Sequence, residues 1–319
     1  MAKLLFGDKH KTHSPALLKV LWAAEGGLAG LMNAISSLLP PDTASGIGAR
    51  LARRIGPRLD KTRLIRRNLK VAFPDKSDAE IDAVVSGIWG TLGSIVAEYP
   101  HLPVICGSQA DERLEIVMQD KLAVFEPGAK PAVFVTAHLG NWEIGAATIA
   151  HLGVPLSVVY TALQNPNLDR LLYKARAALG FGLIERDGAA RELLRCLRQG
   201  TSVGLLVDQR VDSGEMVPFF GAEMLTSVTP AQLALRFGCD LIPVQVQRRQ
   251  GARFRVAFHS PVKADDPDLD GSAQALQMTA KINALFEAWI RERPNEWTCT
   301  KRRWPKHLVK PDWQDKVEG

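Results

Sequence analysis

The sequence predicts an α/β protein, a mixed sheet flanked by helices, with a membrane-associating helical segment at its N-terminus. Three observations lead there. From about residue 113 onward, short apolar runs alternate with helix-like stretches, the pattern of strands covered by helices. Ahead of them the apolar stretch "SPALLKVLWAAEGGLAGLMNAISSLLPP" runs into a strongly basic one. And 46% of the 319 residues are hydrophobic, enough to bury a sizeable core and too many for global disorder.

The apolar stretch predicts a helix ended by Pro40-Pro41-Asp42. On a helical wheel Leu17, Leu21, Ala24, Leu28, Leu31, Ile35 and Leu38 form one stripe, opposite Lys19, Gly26, Gly30, Asn33 and Ser37. Residues 20–39 are long enough to span a bilayer, but the stripe suits a helix lying in the interface equally well. A core helix of a soluble protein would carry the same stripe. No small-residue cleavage site follows a compact apolar run, so a cleaved signal peptide is not expected. Residues 43–70 continue as helix, broken near Gly56-Pro57, and Phe73-Pro74-Asp75 stops it. Ser77 is placed to cap a helix over 78–98, and Pro100 and Pro103 mark a boundary. Strands are then expected near 132–137, 154–160, 182–185, 202–207, 241–247 and 252–258. Helices are expected near 143–152, 166–179, 188–199, 229–237 and 272–292. The run from Arg253 to Phe258 alternates polar and apolar, as a half-exposed edge strand would. The chain thus divides into a membrane-associating helix (1–41), a basic helical segment (42–110) and an α/β catalytic unit (111–319).

Charge is concentrated. Residues 50–70 hold nine Lys/Arg against Asp60 alone, while the whole chain carries only +6. Such a block can meet anionic headgroups, an acidic protein or nucleic acid, or simply be a solvated helix face. An apolar helix followed by a basic block is a double membrane signal with its basic side to the cytoplasm. The block has no interleaved aromatics for base stacking, so a nucleic-acid partner is not expected. The four cysteines show no metal-like spacing, which predicts reduced thiols and no zinc site.

The chemistry concentrates in "AHLGNWEIG", where a strand should run into a helix. Sites in open α/β sheets lie beyond the carboxyl ends of the strands. Gly140 permits a tight turn and Asn141 can cap the helix, so His138 and Glu143 can converge across the bend. A carboxylate on one ring nitrogen fixes the tautomer and makes the other nitrogen a general base. The same pair also suits a structural cap. The sequence contains no GxSxG elbow, no P-loop, no GxGxxG and no HExxH. A base without a neighbouring protein nucleophile fits direct transfer, in which a substrate hydroxyl attacks an activated acyl group.

"HLGNWE" resembles the HX4E variant of the HX4D acyltransferase motif, and the resemblance extends along most of the chain. "RRNLKVAFPD", "NPNLDRLLYKAR", "ERDGAARELLRCLRQGTSVGLLVDQR", "VPFFG", "PAQLALRFGCDLIPV" and "RPNEWTCTKRRWP" follow in the order seen in the lipid A late acyltransferases. The last departs from that family's usual ending by carrying Asn295-Glu296. The resemblance implies a glycerolipid-acyltransferase-like sheet, needing no cofactor or metal, at the cytoplasmic face of a cell inner membrane. It implies transfer of a fatty acyl chain from acyl-acyl carrier protein to a hydroxyl of a Kdo-containing lipid A precursor, with no covalent enzyme intermediate. His138 would then be the base and Glu143 its orienting carboxylate, and Arg176 would stabilise the oxyanion or a phosphate. Arg186, Asp208, Gln209 and Asn141 are candidate substrate contacts, though Arg186 could pair with Glu185 or Asp187 and Asp208 could cap a turn. Phe219 and Phe220 could line an acyl groove or be core, and Lys301, Arg302 and Arg303 with Trp297 and Trp304 could meet headgroups or the carrier protein. Related enzymes share the motif with other glycolipid or phospholipid acceptors. A non-enzymatic membrane or nucleic-acid-binding protein is the remote alternative.

Overall fold

A computed structural model describes residues 14–305 and Leu308. Ser14 accepts the N–H of Leu17 at 3.3 Å and Pro15 fills the first helical position, which starts helix α1 (Pro15–Ser37). The inward side of α1 is mixed, with Leu18 buried beside small and polar residues. Gly26 lies so close to Asn167 that an added Cβ would sit 2.6 Å from that side chain, and Ser36 is buried. Its outward side is apolar: Leu17, Val20, Leu28, Leu31, Ile35 and Leu38 are exposed. A helix packed for water alone would be the other way round.

Helix α2 (Pro41–Ile55) ends at the Gly56-Pro57-Arg58 turn, where the sequence predicts a break, and α3 (Lys61–Ala72) follows. A full capping box of Ser77 and Glu80 opens α4 (Asp78–Glu98). Helices α2 and α4 approach through Gly48 and Gly93, where a methyl on either would strike the other's carbonyl. Among the described residues one helix, Asp78–His101, is long and apolar enough to cross a membrane by length and composition. Its Ile81, Val84, Val85, Ile88 and Ile95 are buried.

Then come α5 (Ala110–Arg113), β1 (Leu114–Met118), β2 (Val133–Thr136), α6 (Trp142–His151), β3 (Leu156–Tyr160), α7 (Pro166–Ala177) and β4 (Gly182–Glu185). The chain continues through α8 (Ala189–Arg198), β5 (Ser202–Leu206), the hairpin β6 (Glu215–Phe219) and β7 (Ala222–Thr226), and α9 (Thr229–Phe237). It closes with β8 (Leu241–Arg248), β9 (Phe254–Phe258) and α10 (Gly271–Glu292). The main sheet has the order β1-β9-β8-β2-β5-β3-β4, parallel throughout except where β9 runs against β8. This is the expected mixed sheet flanked by helices.

Two expectations fail. β9 is not an edge strand: β1, absent from the sequence reading, covers it, and Phe254, Val256 and Phe258 are buried. The β6–β7 hairpin was not foreseen either. The sheet divides the core. Val133 and Val135 of β2 face a cluster with Ile65, Leu69, Ile81, Ile88 and Phe286. Phe134 points the other way, toward Ile144, Phe254 and Phe258. Helices α3 and α4 therefore share one core with the sheet.

Candidate active site

Parallel pairing builds the centre of the site. β2 and β5 are neighbours with Thr136 opposite Leu206, so His138 and Asp208 each stand two residues past the carboxyl end of adjacent strands. The Nδ1 of His138 lies 2.6 Å from Asp208 Oδ1. Asp208 is buried and accepts the indole N–H of Trp297 on its other oxygen at 3.0 Å. Burial would raise its pKa, but the charge of His138 and the hydrogen bonds from His138 and Trp297 outweigh it, holding the carboxyl below its ordinary range. An ionised Asp208 can only accept a hydrogen bond, so Nδ1 carries the proton and Nε2 is left as the basic nitrogen. The ring stays partly open to solvent, with the Gln209 Nε2 3.1 Å from His138 Nε2 and the Trp142 ring edge-on at 5.1 Å.

Gly140 makes the turn after His138. Its φ is +59°, its N–H donates to Glu296 O at 3.1 Å, and a Cβ there would meet Val246 O at 2.6 Å. Asn141 caps α6 by accepting Glu143 N–H at 3.3 Å. Its carboxamide is fully buried and donates to Glu98 at 2.9 Å, so its described contacts are those of the turn. Glu98 is itself enclosed, held by Arg248 at 2.9 Å and by Ser45 at 2.6 Å.

Glu143 is not the partner of His138. The first turn of α6 carries its carboxylate away from the ring, into a buried cluster. Arg176 donates to it through Nη2 at 2.6 Å and Nε at 3.0 Å, Tyr99 at 2.8 Å and Trp142 at 3.0 Å. Arg176 Nη2 also donates to the Tyr99 oxygen at 3.3 Å. Burial works against the charge on Arg176, but Tyr99 and Glu143 overcome it and hold the guanidinium above its ordinary range. Burial, then the Glu143 charge, push the Tyr99 phenol up, so it remains a neutral donor. The described side-chain contacts thus pair His138 with Asp208 and Glu143 with Arg176.

The bacterial lipid A biosynthesis acyltransferase family model matches residues 12–306. The chain belongs to this family. It is therefore an acyltransferase. It is 23% identical to the lipid A biosynthesis myristoyltransferase of Escherichia coli K12, over 87% of this chain and 84% of the relative. Against the lipid A biosynthesis palmitoleoyltransferase of the same organism the identity is 21%, over 85% and 88%. Against the phosphatidylinositol mannoside acyltransferase of Mycobacterium tuberculosis H37Rv it is 25%, over 78% and 76%.

Other residues of the acyltransferase divide between edge and interior. The exposed Arg186 follows β4 at the same sheet edge, its N–H donating to Tyr160 O at 2.8 Å, and Arg210 pairs with Asp212 at 2.8 Å. Phe219 and Phe220 are core, stacked on Trp304 and Trp297 at 5.7 and 6.1 Å. Trp297, Trp304 and Arg303 are buried too, which removes them from any headgroup surface. Arg303 lies 4.5 Å over the Phe219 ring, and burial pushes its pKa down to about 10. All four cysteines are free thiols, and the fully buried Cys299 has its pKa pushed up by burial. Among the described residues no three His, Cys, Asp or Glu converge as a metal site requires. Sequence reasoning missed Tyr99, Glu98 and the bond of Trp297 to Asp208 because the partners lie 44, 43 and 89 residues away.

Proposed function

We propose that this enzyme transfers a fatty acyl chain from acyl-acyl carrier protein directly to a hydroxyl of a Kdo-containing lipid A precursor. The observation that carries the mechanism is the 2.6 Å contact between His138 Nδ1 and the buried Asp208. Asp208 fixes the tautomer and stabilises the imidazolium, and Nε2 takes the acceptor's hydroxyl proton as oxygen attacks the thioester carbonyl. The thiol leaves as the tetrahedral intermediate collapses, and Nε2 returns the proton to it. Attack by the substrate itself, with no covalent enzyme intermediate, fits the surroundings: the Cys299 thiol is buried and held protonated. The Gln209 carboxamide, 3.1 Å from Nε2, is placed to donate to the developing oxyanion. Glu143, Arg176 and Tyr99 act from behind. They anchor α6 and so hold the turn that carries His138.

The membrane reading is supported by two features. The outward face of α1 is apolar, and Ile47, Leu51 and Ile55 of α2 are also exposed, with Arg50, Arg53 and Arg54 on the same helix. Such a surface lies in a bilayer interface, apolar side down and arginines among headgroups. The basic side and a cytosolic donor point to the cytoplasmic face of the inner membrane. Residues 1–41 then anchor, 42–110 bridge and 111–319 catalyse.

The Escherichia coli relatives favour a lipid A acceptor, and the mycobacterial relative favours a second reading with a phosphatidylinositol mannoside acceptor. Purified protein given acyl-acyl carrier protein and each acceptor separates them by mass spectrometry of the product. Acylation of the lipid A precursor alone supports the first reading, and acylation of the mannoside alone overturns it.

A further inference from the structure

The turn that carries His138 has a glycine at its centre, and glycine enters and leaves the left-handed conformation of Gly140 with equal ease. A general base must nevertheless be held firmly, because a displacement of about 1 Å costs on the order of 10²-fold in rate. Thr298 fixes one side of the turn, its N–H donating to the His138 carbonyl at 2.8 Å. The other side depends on an ion pair outside the HLGNWE motif. Glu98, at the end of α4 and fully enclosed, is paired with Arg248, at the end of β8.

Two paths lead from this pair to the turn. On the first, Glu98 Oε2 accepts the Asn141 Nδ2 at 2.9 Å, and Asn141 Oδ1 accepts the Glu143 N–H at 3.3 Å. A carboxylate paired with a guanidinium accepts hydrogen bonds and donates none, so it draws the amide NH2 toward itself and leaves the amide oxygen for α6. Without that partner the amide can turn over, which sets NH2 against the Glu143 N–H and undoes the cap. On the second, the Arg248 N–H donates to Glu296 Oε2 at 3.4 Å, and the Glu296 carbonyl accepts the Gly140 N–H at 3.1 Å. Ser45 of α2 steadies the carboxylate itself, donating to Oε1 at 2.6 Å. A buried ion pair seldom adds net stability over apolar residues of similar size. What this one supplies is direction.

We propose that Glu98 is a positioning residue for the reaction, orienting the Asn141 carboxamide and through it the turn that presents His138. This rests on the reading of His138 as the general base of acyl transfer. Glu98 acts through Asn141 and needs no contact with substrate. Arg248 balances its charge, so an acceptor oxygen at that place is what the turn requires.

The test removes the charge imbalance first, so that loss of fold and loss of position are told apart. Glu98→Gln/Arg248→Met keeps an oxygen to accept the Asn141 amide, and Glu98→Leu/Arg248→Met keeps none. Neither strands a charge, and thermal scans set the assay temperature well below both melting points. The first double variant should retain most of kcat. The second should lose about tenfold in kcat, with KM for both substrates unchanged. Equal kcat in the two, or a loss confined to KM, overturns the proposal. Asn141→Ala asks the same question with the ion pair intact: it should lose about as much, and adding Glu98→Leu/Arg248→Met should cost no more. Unchanged kcat in Asn141→Ala overturns the proposal whether or not the double variants fold. 15N NMR of the His138 ring reads position without turnover. Ring signals that shift or split in Glu98→Leu/Arg248→Met but not in Glu98→Gln/Arg248→Met support the positioning role, and identical signals in both overturn it. If wild type transfers no acyl group while the ring signals still respond in this way, the acyltransfer reading falls and the positioning of His138 by Glu98 stands.

Discussion

Asp208 and Glu143 are both buried carboxylates near one histidine, yet their surroundings differ in kind. Asp208 has two partners, His138 and Trp297, and one of them opens to solvent. Glu143 has three, Arg176, Tyr99 and Trp142, one of them a permanently charged guanidinium. A carboxylate with one titratable, partly exposed partner can pass an electrostatic influence to a substrate. A carboxylate saturated by a guanidinium and a phenol can only hold structure in place. In the proposed mechanism the two ends of the HLGNWE motif do different work: the histidine faces the reaction and the glutamate secures the helix that carries it.

The sharpest way to break this comparison is to remove the base. His138→Ala is expected to lower kcat by on the order of 10³-fold, with melting temperature and vesicle binding unchanged, in steady-state assays and thermal scans. Retained turnover would mean the proton goes elsewhere. Next in size is Glu143→Gln, which strands the Arg176 charge in the interior. Urea unfolding should show a loss of about 3–5 kcal/mol, much of it restored in Glu143→Gln/Arg176→Met, whose apolar side chain needs no partner. A neutral single variant would show that the cluster carries no weight. Tyr99→Phe removes one donor to Glu143 and one acceptor for Arg176. It should cost about 1–2 kcal/mol in the same experiment, with KM unchanged.

The smallest effect is in acid. The Asp208 carboxyl is held below its ordinary value of 3.8, so its stabilisation is complete above that value and is lost as pH falls through the lower folded-state value. Between about pH 5 and about pH 2, wild type should lose stability more steeply than Asp208→Asn. Parallel curves would place no depressed carboxylate there.

Much of the frame was legible locally. Ser77 with Glu80, Pro40-Pro41 and Gly56-Pro57 are punctuation whose physics acts over a few residues, and α4 and the break before α3 appear where they predict. The alternation of strands and helices predicts the sheet. What failed was non-local. β1 is not read as a strand from the sequence, and without it β9 looks half exposed, although pairing on both sides buries it. The site failed in the same way. Six residues of motif bring His138 and Glu143 close in sequence, but the sheet order puts β5 beside β2 and so delivers Asp208 from 70 residues away. The sequence places Asp208 at the same sheet edge as His138 but does not pair the two, because adjacency of strands is not written in either strand. The Trp-rich C-terminal segment misled for another reason. Indole and guanidinium groups suit both headgroups and cores, and packing against Phe219 and Phe220 decided for the core.

The most direct test of the pairing is 15N-histidine NMR of the His138 ring in wild type, Asp208→Asn and Glu143→Gln, assigned by loss of the signal in His138→Ala. The pairing predicts a strongly hydrogen-bonded, downfield Nδ1–H in wild type that persists in Glu143→Gln and disappears or moves sharply upfield in Asp208→Asn. Loss of that signal in Glu143→Gln with its retention in Asp208→Asn would contradict the account and return the orienting role to Glu143.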